Sequence, residues 1–400
     1  MALDMIAPDE ALEMVLAHAP LLGAETVPLA EALGGVLAEA VAADIDLPPF
    51  DKSAMDGYAV RRDDVARLPA ELAMIEELPA GAAPTRALAP GACAKIMTGA
   101  PVPPGADAVI PVEDTEPLPG GRVRILRAGG RPNICLRGED TRRGATVLEP
   151  GHVVGPAEIG LLASVGRERV AVGRRPRVAV LATGDELVPP GAVPGPGEIR
   201  NSNSSILMAA CRRAGVLADD LGVARDNKAD LRARIGEGLR RDVLLVSGGI
   251  SMGDWDLVPE VFDELGVAVR FSKVKMKPGK PTLFGTRGER LIFGLPGNPV
   301  STLVAFRVLV WPALRKMMGH PEPAPPPIEA VLTDKASVRG DRMSFVPASL
   351  RHQGDRWQAR TVETRGSADL VGFSRANALL ALEPGNYTPG TRVKALPLEL

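Results

Sequence analysis

Arg177-Val178-Ala179-Val180-Leu181-Ala182-Thr183-Gly184-Asp185-Glu186 is an apolar run that ends abruptly in a hydroxyl, a glycine and two carboxylates. A short Val/Ala/Leu run stopped by a turn predicts a strand buried on both faces. Two more loops share this build: Ser247-Gly248-Gly249 follows the apolar run 243–246, and Gly294-Leu295-Pro296-Gly297-Asn298-Pro299 follows 291–293. Around them strands near 220–224 and 242–246 alternate with helical patterns at 202–213, 229–240 and 257–265, and a long helix starts near 299. Strands separated by helices predict a parallel sheet covered on both faces. Ligands bind beyond the carboxyl ends of such strands. The three loops are therefore expected to converge on one edge, where backbone N–H groups and helix N-termini can hold an anion.

Outward from this segment the texture changes. Before it, Leu12, Val15, Leu16 and Ala19 fall at helical spacing after Pro8-Asp9, residues 47–140 read as short strands broken by Pro and Gly, and 156–164 reads as a helix with Ile159, Leu162 and Ala163 on one face. After it, Gly319-His320-Pro321-Glu322-Pro323-Ala324-Pro325-Pro326-Pro327 is a stiff linker. Beyond the linker, strands at 329–332, 345–350, 378–382 and 392–395 suggest a small β-barrel or sandwich.

At 400 residues the chain is too long for one ordinary domain, and with 3% aromatics its cores must be aliphatic. A net charge of −2 leaves no electrostatic footprint for nucleic acid or an anionic membrane. The three cysteines (Cys93, Cys135, Cys211) and four histidines are scattered, which argues against zinc, a disulfide framework or a His-based triad. The N-terminus lacks a basic leader with an apolar stretch, and no run approaches the roughly 18 apolar residues of a membrane span, so a soluble cytoplasmic protein is expected.

Neither G-x-x-x-x-G-K-[ST] nor G-x-G-x-x-G occurs in the α/β segment. Thr183–Glu186 reads either as turn and capping chemistry or as a place where a carboxylate holds a divalent cation that bridges phosphates. Asp226 either caps the helix begun by Lys228 or faces the site, and Asp254 and Asp256 pose the same choice. Several carboxylates at one sheet edge need a cation or protons. Residues 272–281 alternate, so a strand would bury Val274 and Met276 and present Lys273, Lys275 and Lys277, with Pro278-Gly279 turning the chain toward Lys280. The alternatives are a solvated edge strand guarded by lysines or an anion site, in which each ammonium contributes on the order of 4 kcal/mol before desolvation. The segments Pro48–Ala59 and Thr98-Gly99-Ala100-Pro101 have no purely structural account.

Six motifs, at 48–59, 97–101, 183–187, 247–256, 277–281 and 294–301, together resemble the molybdopterin molybdenumtransferase family, the bacterial MoeA type, similar to the C-terminal domain of gephyrin. The resemblance spans essentially the whole chain. It implies an α/β and β multidomain fold: a discontinuous N-terminal helical/linker domain (1–46 and 141–175), a β-rich inserted domain (47–140), a central parallel α/β molybdopterin-binding domain (176–318) and a C-terminal β-barrel (328–400). It further implies an Mg²⁺-assisted homodimeric transferase that inserts molybdate into adenylylated molybdopterin with release of AMP.

By motif, Glu186, Asp226 and Asp256 would be the catalytic metal carboxylates, and Asp56 and Thr98 would reach in from the partner subunit. Thr183, Gly184, Asp185, Ser247, Gly248, Gly249, Pro296, Gly297, Asn298 and Pro299 would line the pterin site. Lys273, Lys277 and Lys280 would bind molybdate or the pterin phosphate, with Arg342 and Ser367 beside the oxyanion. Lys52 stands where the family more often has Asn. A molybdopterin adenylyltransferase, as supplier, and apo-molybdoenzymes, as recipients, are implied partners. The rival readings are a molybdopterin adenylyltransferase, which the α/β segment alone resembles, and a non-catalytic pterin-binding scaffold.

Overall fold

The computed structural model describes residues 5–250 and 257–398. The chain forms two compact units, one comprising Pro28–Glu31 with Glu39–Val170, the other the segment through Val27, Ala32–Ala38 and everything from Ala171 onward.

The first unit is built on a six-stranded sheet in the order Ala108–Pro111, Gly57–Val60, Ala92–Ile96, Ala70–Leu78, Arg122–Ile125, Thr115–Leu118. Only the Ala70–Leu78 and Ala92–Ile96 strands run parallel; the other neighbours are antiparallel. The expected helix forms at Pro156–Ser164, where Leu162 is buried, Ile159 half-buried and Ala163 exposed. Its inward face is thus narrower than the apolar residues alone suggest.

The second unit holds the sheet read from the opening motif. Its order is Ala218–Ala224, Val178–Thr183, Val243–Ser247, Arg290–Leu295, Leu283–Arg287, Ala268–Phe271. The first four strands are parallel, as expected. Leu283–Arg287 runs antiparallel to its neighbours and adds, with Ala268–Phe271, an edge that the sequence reading did not include. The pattern Leu-Phe-Gly-Thr-Arg hides that strand, because Gly285 interrupts it. The glycine is required by close packing, since a Cβ there would sit 2.7 Å from Val267 Cγ1.

Both sheet faces are covered, and the alternation of the strands shows it. Val178, Val180, Val243, Leu245, Leu291 and Phe293 enter one core cluster, while Ala179, Leu181, Leu244, Val246 and Ile292 enter the other. The N-terminal helix Pro8–His18 contributes Ala11 and Val15 to the first cluster.

Beyond the Pro-rich segment, five strands close into a barrel: Ile328–Leu332, Arg356–Thr361, Met343–Gln353, Ala378–Leu382 and Arg392–Pro397. This settles barrel against sandwich. The Arg356–Thr361 strand escaped the sequence reading because only Ala359 of it is buried. Among the described residues, no helix is long and apolar enough to cross a membrane.

Candidate active site

The strand order defines the site. Val178–Thr183, the first strand of this sheet in chain order, lies between the next two, Ala218–Ala224 and Val243–Ser247, so winding reverses between Val178–Thr183 and Val243–Ser247. Ligands of doubly wound sheets bind at that reversal, outside the carboxyl ends. A cleft of about 660 Å³ opens there, lined by Thr183, Gly184, Glu186, Asp226, Ser247, Gly248, Gly249, Pro296, Gly297, Asn298 and Pro299, among others. The three loops of the opening motif do meet.

Their approach is tight enough to dictate sequence. Gly248 sits at φ +93, and a Cβ on it would lie 2.7 Å from the Thr183 carbonyl oxygen. Asn203 ties two loops together, its Nδ2 donating to Ser247 Oγ (2.8 Å) and to the Gly297 carbonyl (2.7 Å). Thr302 Oγ1 donates to the Pro296 carbonyl at 2.6 Å, fixing the third loop on the helix that starts at Pro299. The Ser202–Arg213 helix, capped by Asn201, and the Pro299 helix both begin at the cleft, whose lining includes Asn201, Ser202, Asn298 and Pro299. Helix N-termini in this position favour a bound anion. Asn203 was missed in the sequence, although the polar cluster Asn201-Ser202-Asn203-Ser204-Ser205 at a helix start was the available signal.

The carboxylates separate by role. Asn227 caps the Lys228–Gly238 helix, accepting from the Asp230 backbone N–H at 3.0 Å. The capping alternative for Asp226 therefore falls, and Asp226 lines the cleft beside Glu186. Asp185 sits outside the lining. It is exposed, its N–H donates to Asp226 Oδ2 at 3.3 Å while its Oδ1 accepts from the Asp226 N–H at 3.4 Å, and it faces Arg225 at 3.6 Å. Asp254 and Asp256 lie outside the described residues. Among the described residues, no group of three or more His, Cys, Asp or Glu side chains gathers as a metal site. Two hard oxygen donors in the lining, Glu186 and Asp226, nonetheless fit a divalent cation held together with substrate phosphates.

A second cavity, about 770 Å³, shares the wall Pro281, Pro296, Gly297 and Asn298 with the first. It is lined by Lys277, Lys280, Arg339, Arg342 and Ser367, and no carboxylate appears in its lining. The alternating lysine segment is regular only at Met276–Lys277, which pairs with Met343–Ser344 rather than forming a longer strand. Val274 and Met276 are buried and Lys275, Lys277 and Lys280 exposed, so the burial alternation holds without the ladder. Lys273 lines neither cavity, and its backbone carbonyl accepts from Ile6. Ser367 is drawn to the third loop: Asn298 Nδ2 donates to its Oγ at 2.9 Å, and the Val300 N–H donates to its carbonyl at 3.1 Å. Arg342 Nη1 donates to the Met276 carbonyl at 3.4 Å.

In the other unit, Asp56 precedes the Gly57–Val60 strand and Thr98 follows Ala92–Ile96, and these strands are neighbours. Asp56 Oδ1 accepts from Thr98 Oγ1 (2.6 Å) and from the Thr98 N–H (2.7 Å). The Thr98 hydroxyl first, and its N–H second, hold the Asp56 carboxyl below the ordinary carboxylate range. Ser53 donates its N–H to Ala100 O and accepts from Gly99 N–H, so the two unexplained segments form one knot. All three cysteines are free, and burial pushes the Cys93 and Cys211 thiols up to about 12. Neither supplies a thiolate nucleophile near neutral pH.

A switch-point cleft fed by glycine loops, with a cation-lined chamber beside it, defines an anion-handling α/β enzyme site. Family models agree on its kind: residues 6–166 match the MoeA N-terminal region (domain I and II), 179–316 a probable molybdopterin binding domain, and 329–398 the MoeA C-terminal region (domain IV). The chain is 40% identical over 384 residues to Molybdopterin molybdenumtransferase 2 of Mycobacterium tuberculosis, covering 92% of each chain. It is 35% identical to the molybdopterin molybdenumtransferase of Bacillus subtilis, covering 97% of this chain and 93% of that one. Among solved structures, a molybdopterin biosynthesis moeA protein from Pyrococcus horikoshii OT3 superposes with a TM-score of 0.81 at 29% identity, covering 98% of this chain and 100% of the other. The chain belongs to the MoeA family, a transferase family of molybdenum cofactor biosynthesis.

Proposed function

We propose that this protein inserts molybdate into adenylylated molybdopterin and releases AMP. The observation that carries the reading is the shared wall between a carboxylate-bearing cleft and a carboxylate-free, cation-lined chamber. One substrate must be gripped at a phosphoanhydride and at a dithiolene at once, while a free dianion waits beside it.

In this reading Thr183, the Ser247–Gly249 loop and the Pro296–Pro299 loop seat the pterin nucleotide, and the helix N-termini meet its phosphates. Glu186 and Asp226, with Asp256 following the second loop in sequence, would hold Mg²⁺, which when bound neutralises phosphoanhydride charge. AMP release breaks one P–O bond, and water supplies the oxygen. Lys277, Lys280, Arg342 and Ser367 hold molybdate beside the dithiol, so insertion becomes a proximity-driven step. When two thiol groups replace one molybdate oxygen, their two protons leave with that oxygen as water, and the dianionic charge is kept.

The same proposal makes the active species a cytoplasmic homodimer of four-domain subunits, with Asp56 and Thr98 completing the partner's cleft. A molybdopterin adenylyltransferase would supply the substrate, and apo-molybdoenzymes would take the product. Glu186→Ala should abolish molybdate-triggered AMP release, on the order of 100-fold or more, while the folded state persists by circular dichroism. Unchanged AMP release in that variant would remove the metal-carboxylate role.

A further inference from the structure

The chamber contains a cation that neither the family motifs nor the chemistry above employs. Arg339 follows the Ala336–Val338 strand, which pairs with Gly385–Tyr387 outside the closed barrel. It lines the chamber with Lys277, Lys280 and Arg342. The two arginines differ in their commitments. Arg342 is half-buried and donates to the Met276 carbonyl. Arg339 is exposed and makes no hydrogen bond or ion pair among the described residues. The adjoining Gly340 has φ +98 and open space where a Cβ would stand, so the turn carrying Arg339 is unobstructed.

A rim cation adds little to bound-state energy, because water and salt screen it. Its field still acts on approach, most of all in front of a concavity whose lining charge has one sign. No carboxylate stands in the lining to cancel the charge of Lys277, Lys280, Arg339 and Arg342.

We propose that Arg339 is the capture and positioning residue of this chamber, drawing a tetrahedral dianion across the open turn and delivering it to Arg342 and Ser367. The dianion is molybdate, because the phosphate of the adenylylated substrate is tied up in its anhydride and offers no terminal dianion. This rests on the anion-chamber reading above.

The test is anion association with the intact protein, by stopped flow, with molybdate alone and with inorganic phosphate alone. Arg339→Ala should slow association roughly tenfold at low ionic strength, and the deficit should vanish near 0.5 M salt, where the Debye length is about 4 Å. Arg339→Lys should restore most of the rate. In turnover the loss should be concentrated in KM for the captured anion rather than in kcat. A response to molybdate supports the assignment, and a response to phosphate alone would overturn molybdate as the captured species. Wild-type association rates and salt dependence in Arg339→Ala would overturn the assignment. Failure of the unsubstituted protein to bind either anion would instead sink the chamber reading itself, before any variant is made.

Discussion

The carboxylate cleft and the cation chamber share one wall but are built by different means. The cleft sits at the ends of buried parallel strands, and its side chains are placed by backbone that cannot move without disturbing both core clusters. The chamber is assembled from a short lysine segment, a barrel strand and loops, and three of its four cations are exposed. The cleft therefore offers fixed geometry and the chamber a field. On the proposed reading, a bound cation belongs in the first, where ligand positions must be exact to a fraction of an ångström, and a diffusing dianion in the second, where charge density matters more than pose.

That division predicts a crossed result. Glu186→Gln should lower AMP release on the order of 100-fold and leave molybdate affinity, measured by equilibrium dialysis, within about twofold. Arg342→Ala should do the reverse, weakening molybdate binding about 10- to 100-fold while pterin-nucleotide affinity holds. If both variants damage both measurements equally, the two cavities act as one and the comparison fails.

The backbone gives a smaller and purely structural version of the same contrast. Gly248 and Gly340 both sit at positive φ, but a Cβ at Gly248 meets the Thr183 carbonyl oxygen at 2.7 Å whereas one at Gly340 meets nothing within 4 Å. Gly248→Ala should cost about 3 kcal/mol or more, from left-handed strain plus overpacking. Gly340→Ala should cost about 1–2 kcal/mol, from strain alone. Urea denaturation checks both, and equal losses would show that the cleft loops give way more readily than their packing implies.

The same difference explains what could be read from the sequence. Val178–Thr183 and Val243–Ser247 are buried throughout, so their apolar runs and glycine stops announce the sheet, its edge and the cleft. Chamber residues carry no such mark. Lys277 and Lys280 stood out as a charge run, but Arg339 is one arginine among many, and the Arg356–Thr361 strand that helps close the barrel buries a single residue. Asn203 was hidden for another reason. Its role depends on reaching Ser247 and Gly297, 44 and 94 positions away, and long-range hydrogen bonds leave no local period. Asp226 stayed between a capping and a site role in sequence, and the bond from the Asp230 N–H to Asn227 decides it by giving the cap to Asn227.

The smallest effect concerns Asp56, which belongs to neither cavity in the described unit yet carries a perturbed carboxyl. Its Oδ1 takes two short hydrogen bonds from Thr98, and both favour the charged form. Because the folded-state pKa is depressed, the bonds' contribution is present above the ordinary value of 3.8 and fades as pH falls through the lower folded value. Thr98→Val removes the hydroxyl, the larger cause, and keeps the N–H. Carboxyl ¹³C NMR should then show Asp56 titrating closer to 3.8, still below it, with the main-chain bond intact. An unmoved titration would mean that the N–H alone holds the charge, and Thr98 could be replaced by any residue of its size. A shifted titration in a variant that also loses AMP release would tie this knot to the chemistry, because the substitution leaves every formal charge in place.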